Sequence, residues 1–233
     1  IYLCATKSIG KSVDYFDKKI NIKNLPSISK IEKVNWETID VLFSALPNGE
    51  AQKIIKVIPE HTKLIDLSAD FRINDFKLYK KWYGINHKCK KLINRSIYAI
   101  TEFSKSNLDK YKVISCPGCY PTSVQIPLIP LLKRKVINIK NIIIDSKSGY
   151  SGAGKKIKQK FNHKNLFDSV SAYGVGFHKH MVEIDQELSK AASNKIKVSF
   201  TPHLIPMFRG ILSTIYLETR GKNSAKRIYK LLK

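Results

Sequence analysis

Ile39 to Leu46 reads Ile-Asp-Val-Leu-Phe-Ser-Ala-Leu, an apolar run almost without interruption. A strand with one wet face alternates apolar and polar residues, whereas an unbroken run suits a strand covered on both faces, as in a parallel sheet. Pro47-Asn48-Gly49 breaks the run, Glu50 to Ile58 has helical apolar spacing, and Pro59 stops it. Lys63 to Ser68 reads as the next strand, Phe76 to Tyr83 as a helix rich in aromatic residues, and Val113 to Ser115 as a short strand. Strand, helix and strand in this order predict right-handed crossovers and an open parallel sheet, hence an α/β fold.

The second half follows a different pattern. Thr122 to Lys133 predicts a helix, Ile139 to Ser146 a strand, and Val182 to Ala192 another helix. Strands at Lys195–Thr201 and Ile211–Thr219 bracket a Pro202–Gly210 loop, and Ser224 to Lys233 starts a last helix. Consecutive strands without a crossover helix predict an α+β region with a mixed sheet. The boundary falls at the cysteine motif, giving regions 1–118 and 119–233.

The chain has 233 residues, 43% hydrophobic and 26% charged, enough for a sizeable core. Its longest apolar stretch, Val124 to Leu132, is far short of the roughly 20 residues of a membrane helix. A formal charge of +24 points toward nucleic acid, but the basic residues are scattered and not interleaved with aromatics. A positive field suits a phosphate-bearing substrate or cofactor equally well. Small-molecule partners are therefore expected, with no nucleic acid and no membrane. The four cysteines (Cys4, Cys89, Cys116 and Cys119) are too few and too uneven for a disulfide framework, so a reducing compartment and thiol chemistry are expected.

Ser115-Cys116-Pro117-Gly118-Cys119-Tyr120-Pro121-Thr122 is the most informative segment. It reads as a strand, a Pro-Gly turn, and a cysteine at the mouth of a helix. Backbone N–H groups there favour a thiolate and can hold an oxyanion. A Cys-x-x-Cys pair is also compatible with a redox dithiol, or with two cysteines filling a core turn. Zinc would need a second pair, and neither Cys4 nor Cys89 has a companion at ligand spacing, so no metal is expected. His178-Lys179-His180 follows Tyr173-Gly174-Val175-Gly176 and precedes the Val182 helix, a good setting for a base and an anion site. Gly149, Gly152 and Gly154 form a small-residue loop able to approach a flat ring or a phosphate, although their order is not that of a dinucleotide fingerprint.

Five stretches occur in one order: Asp66–Arg72 (DLSADFR), Pro117–Thr122 (PGCYPT), Ser148–Gly154 (SGYSGAG), Gly176–His180 (GFHKH) and Phe200–Leu212 (FTPHLIPMFRGIL). Together they resemble the N-acetyl-gamma-glutamyl-phosphate reductases of the semialdehyde dehydrogenase family. The resemblance implies a Rossmann-type parallel-sheet region at 1–118 that binds NADP(H). It also implies an α+β catalytic and oligomerisation region at 119–233, in a cytoplasmic homo-oligomer (dimer or tetramer). It gives Cys119 the nucleophile's role and His180 the acid/base role, with His203 as a rival base. His178, Arg209 and Tyr120 would meet the substrate. Ser44, Leu46, Pro47, Ser68, Ser148, Gly149 and Gly152 would line the cofactor groove. The reaction implied is NADPH-dependent reduction of N-acetyl-gamma-glutamyl phosphate to the semialdehyde through a Cys119 thioester.

Family members open with a strand, a glycine-rich turn and a helix that no segment here supplies, and they continue past the position of Lys233. The sequence therefore reads as a fragment lacking its first βα unit and its C-terminal part. Alternatives are a reductase of aspartyl phosphate or of carrier-linked aminoadipyl phosphate, a basic nucleic-acid-binding protein, or an inactive relic.

Overall fold

A computed structural model describes residues 1–20, 22, 24–153, 169–221 and 225–233. Strands β1 (Val41–Ser44), β2 (Lys63–Asp66), β3 (Ser96–Tyr98) and β4 (Val113–Ser115) form one sheet in the order β1-β2-β4-β3, parallel throughout. Leu64 and Val113 are fully buried at its centre, packed with Ala51, Ile55, Ile58 and Phe71. The register aligns Ser44, Asp66, Ser115 and Tyr98 in a row across the carboxyl ends of the strands.

Helix α1 covers only Ala51–Ile54, shorter than its apolar spacing predicts. Its continuation tightens to a three-residue bond, with Val57 N donating to the Ile54 carbonyl at 2.9 Å. Helix α2 spans Phe76–Tyr83 as expected, because both ends carry a stop signal. The Asp75 carboxylate accepts from the Lys77 and Leu78 amides, and Gly84 closes the helix at φ +75°. Strand β3 and the short helix α3 (Thr101–Ser104) have no counterpart in the sequence pattern, since three half-buried residues are too few to show a period.

Helix α4 runs from Cys119 to Lys133 and contains Pro127 and Pro130. Two interior prolines cost roughly 6 kcal/mol together. Burial of Val124, Leu128, Leu131 and Leu132 returns roughly 6–12 kcal/mol, so packing holds the helix where propensity would not. The helix begins three residues earlier than expected, and residues 116–118 form no turn, with Gly118 extended at φ −66° and ψ 162°.

The second sheet contains β5 (Ile143–Gly149), β6 (Ser171–Ala172), β7 (Ser199–Ile205) and β8 (Ile211–Tyr216) in the order β6-β7-β5-β8. Strands β5 and β7 are parallel, and the other pairings are antiparallel. Helix α5 (His180–Ala192) lies between β5 and β7 in the chain, so this half keeps a crossover, and β5 separates β7 from β8. The sheet is mixed, as expected. Its α4 and α5 face encloses Val124, Leu128, Ile144, Ile184, Leu188 and Phe200.

Strand β7 starts and ends four residues later than expected. Its lead-in is held by α5 side chains, with Ile196 N donating to Ser189 Oγ at 2.9 Å and Val198 N to Asp185 Oδ1 at 3.1 Å. Pro202 is tolerated within it because β6 pairs only as far as His203, and the Pro202 carbonyl accepts from Tyr173 N at 3.0 Å. Strand β5 likewise starts late, after Asn141 at φ +56°. A last helix, α6, spans Ala225–Leu231, while the expected start at Ser224 lies outside the described residues, as does Gly154. No described helix is long and apolar enough to cross a membrane.

Candidate active site

Cys119 is the first residue of α4, and Gly118 before it offers no side-chain cap. The first amides of the helix are therefore open to the thiol, and those of Tyr120 and Cys119 act on it to favour the thiolate. The net direction is nevertheless the reverse of the sequence expectation. Burial of the sulfur outweighs the amides and pushes the Cys119 thiol above its usual range, although the residue as a whole is exposed.

His180 opens α5, and its ring rests on Gly118. A Cβ at Gly118 would stand 2.4 Å from His180 Nε2, so only glycine permits this approach. The loop before it carries Gly174 and Gly176 at φ +60° and +79° and brings His178 back beside His180, ring centres 4.9 Å apart. His178 Nδ1 accepts from the His180 amide at 3.2 Å, which puts the proton of the neutral ring on Nε2. Burial pushes His178 down to about 4. Burial, then His178 and Arg72, push His180 down to about 3, and its Nδ1 is buried without a hydrogen-bond partner. Burial thus favours the neutral form of both imidazoles and disfavours an imidazolium beside the thiol.

Tyr120, expected to touch the substrate, is 2% exposed and packs against the histidines. Its ring meets His178, His180 and Phe200 edge-on, and its hydroxyl shares a hydrogen bond with Tyr173 at 2.9 Å. Tyr173 was not singled out from the sequence, and only its place beside the glycine pair hinted at it. His203 projects from β7 on the side of Lys147, its register partner on β5, and of Asp145, while Phe200 and Leu204 face the core. Its Nδ1 lies 3.0 Å from Asp145 Oδ1, a close approach whose alignment does not make a hydrogen bond. His180 thus packs against Gly118, the residue before the cysteine, while His203 lies beside Asp145.

The residues expected in the groove divide. Ser148 is buried, donates to the Gly149 carbonyl at 3.0 Å and lies close enough to Tyr120 to affect its phenol. Gly149 packs so tightly on the 207–209 backbone that a Cβ would come within 2.8 Å of Met207 O and Arg209 N. Gly152 is exposed, and a Cβ there would meet Ser148 Oγ at 3.0 Å. Arg209 is also exposed, its guanidinium over the Phe208 ring at 5.1 Å. Ser44 is buried with an unpartnered Oγ, beside half-buried Leu46 and exposed Pro47. Ser68 is committed to Asp66, donating to Oδ2 at 2.8 Å. Burial pushes Asp66 up to about 6 against the pull of those Ser68 hydrogen bonds.

Two side chains without an assigned role in the sequence stand at the centre of this arrangement. Arg72 Nε donates to the Cys116 carbonyl at 2.7 Å, and Glu183 Oε1 accepts from Gly118 N at 2.7 Å. The spacing of His180 and Glu183 on one helix face was the available signal for the second.

A thiol at the start of a helix that follows a parallel sheet, near two histidines at the start of a helix packed on a mixed sheet, is matched by known sequences. Residues 1–111 match the sequence family described as semialdehyde dehydrogenase, NAD binding domain, and residues 119–233 match semialdehyde dehydrogenase, dimerisation domain. A Rhodospirillum rubrum protein named N-acetyl-gamma-glutamyl-phosphate reductase is 42% identical over 235 residues, covering 99% of this chain and 67% of that protein. The chain belongs to the semialdehyde dehydrogenase family. Other proteins to which it is similar also bear the name N-acetyl-gamma-glutamyl-phosphate reductase. One from Ehrlichia canis is 46% identical, covering 93% of this chain and 63% of that one. A probable chloroplastic one from Arabidopsis thaliana is 40% identical, covering 99% and 58%. The chain spans about three fifths of the length of these curated relatives. Aspartate semialdehyde dehydrogenase II from Vibrio cholerae shares the fold at TM-score 0.70 and 16% identity, covering 99% of this chain and 69% of that one. The Candida albicans enzyme solved with NADP does so at TM-score 0.62 and 16% identity, covering 99% and 67%.

Proposed function

We propose that this chain carries the machinery for NADPH-dependent reduction of N-acetyl-gamma-glutamyl phosphate to N-acetylglutamate 5-semialdehyde, with release of phosphate, in arginine biosynthesis. The observation that carries the chemistry is the Cys119 thiol at the start of α4, with the neutral His180 ring held against Gly118. The choice of acyl phosphate rests on relatives at 40–46% identity that bear that name.

His180 takes the thiol proton as Cys119 Sγ attacks the acyl carbon. The bond between that carbon and the phosphate oxygen breaks, phosphate leaves, and an acyl thioester remains on Cys119. The helix-start amides of Cys119 and Tyr120 lie beside the sulfur and can also receive charge on the acyl oxygen. When bound, NADPH supplies the hydride that reduces the thioester. As the aldehyde carbonyl forms, the C–S bond breaks and His180 returns the proton to sulfur. His178 and Arg209 are proposed to meet the substrate's anionic groups.

Regions 1–118 and 119–233 are proposed as the cofactor and catalytic halves, and the residues fit that division. Exposed Ala45, Pro47 and Leu67 give the carboxyl ends of β1 and β2 an apolar surface, where open parallel sheets take their ligands. The buried Ser44 Oγ there has no protein partner. With Leu46, Ser68, Ser148, Gly149 and Gly152, these residues would hold NADPH. The same reading makes the protein a cytoplasmic homo-oligomer, supported by its four free cysteines and by the family region matched at 119–233.

The test is phosphate-dependent reduction of NADP by N-acetylglutamate semialdehyde, measured on the intact protein. Activity is expected to persist in Cys116→Ala and to vanish in Cys119→Ala. An inert, folded native protein overturns the substrate assignment.

A further inference from the structure

The segment that presents the thiol has no turn to hold it. Residues 116–118 lie outside any helix, strand or turn, and their fixed points come from elsewhere. Arg72 Nε holds the Cys116 carbonyl at 2.7 Å while Nη2 holds the Leu67 carbonyl at 2.8 Å. Glu183 Oε1 receives the Gly118 amide and the Tyr98 hydroxyl, each at 2.7 Å. The two side chains meet at 3.4 Å, from Arg72 Nη1 to Glu183 Oε2, with Glu183 0% and Arg72 7% exposed. Glu183 stands one turn after His180 on α5, so the same helix face supports both the ring and the amide behind the sulfur. The next turn extends the grip. Gln186 Nε2 donates to the Arg72 carbonyl and Gln186 Oε1 accepts from Asn74 N, both at 2.9 Å.

A buried ion pair is an inefficient way to stabilise a fold, since apolar groups of equal volume often do as well or better. What this pair supplies that apolar groups cannot is a fixed address for one carbonyl and one amide. Resting on the reading of Cys119 as nucleophile and His180 as its base, we propose that Glu183 is a positioning residue. Through the Gly118 amide and Arg72, it sets the Cys119 sulfur against the His180 ring. The charged and titratable groups around the sulfur are Arg72, Glu183, the phenols of Tyr120 and Tyr173, and the two histidines, with Asp66 near Cys116 and Arg72.

The test compares Glu183→Gln with Glu183→Ala in the intact protein. Glutamine keeps an oxygen for the Gly118 amide, and alanine keeps nothing. The alanine variant is expected to lose roughly a hundredfold in kcat with KM little changed, and glutamine to recover most of it. Equal loss in both folded variants, or loss in neither, overturns the proposal. Alanine leaves Arg72 buried without its partner, so a second measurement guards against misfolding. Iodoacetamide is expected to alkylate Cys119 about tenfold faster at neutral pH in Glu183→Gln, because an unopposed Arg72 favours the thiolate. An unchanged alkylation rate in the folded glutamine variant also overturns it. Alkylation needs no substrate, so an error in the substrate assignment leaves this result standing and the two readings fail separately.

Discussion

Gly118→Ala isolates one contact of the site. Gly118 sits at φ −66° and ψ 162°, a conformation any residue adopts, so alanine adds no backbone strain and even reduces the freedom of the unfolded chain. The whole effect comes from space. The new Cβ would lie 2.4 Å from His180 Nε2, 2.8 Å from Cδ2 and 2.9 Å from Cε1. Ordinary contact needs about 3.5–4 Å, so the ring must retreat by roughly 1 Å. Retreat is resisted, because Tyr120 and His178 pack on the ring at 5.9 and 4.9 Å between centres. Overpacking of this kind costs about 1–3 kcal/mol, less a few tenths from the lost glycine entropy. A base displaced by about 1 Å costs roughly a hundredfold in rate. The assay is kcat for semialdehyde oxidation beside a urea titration, and the expected variant is folded, slightly weakened and nearly inactive. A Gly118→Ala protein within about threefold of native kcat would refute the inference that the ring needs this space.

Other perturbations follow from buried charge. Lys112 Nζ donates to the carbonyls of Pro59, Glu60 and Thr62, so Lys112→Met is expected to lower stability by about 2 kcal/mol in a urea titration, with an unchanged midpoint counting against it. His178 and His180 have folded pKa values near 4 and 3 against an ordinary 6.5, so the unfolded chain takes up protons that the native one refuses as pH falls. Stability should therefore decline from about pH 7 to about pH 4, and His180→Leu should flatten the decline. Asp66, raised to about 6, acts in the opposite sense and offsets part of the loss below that pH. The Cys119 alkylation rate should climb only on the alkaline side, without the acidic plateau of a thiolate–imidazolium pair, since burial raises the thiol and lowers the histidine.

The sequence located β1 well, since the apolar run Ile39–Leu46 before Pro47 contains the observed Val41–Ser44. It located α2 to the residue because Asp75 and Gly84 cap it. It ran α4 through both prolines to its observed end at Lys133 but started it at Thr122, three residues late, because Pro117-Gly118 reads as a turn while Gly118 is extended and the helix begins at Cys119. It also misplaced β7, whose start is set by Ser189 and Asp185 on another element. At the site, Cys119 and His180 were legible as residue types in suggestive places. The direction of the thiol's pKa was not, because helix-start amides are visible in a pattern while the degree of burial is not. Arg72 and Glu183 act through contacts between residues 111 positions apart, which no local pattern encodes.

The most direct measurement incubates the intact protein with N-acetyl-gamma-glutamyl phosphate in the absence of NADPH, quenches in acid and maps the added mass by peptide mass spectrometry. The expected result is one acyl group on Cys119, removed by hydroxylamine and absent from Cys119→Ala. An acyl group on another residue, or none on a folded protein that still turns over, contradicts the thioester at Cys119.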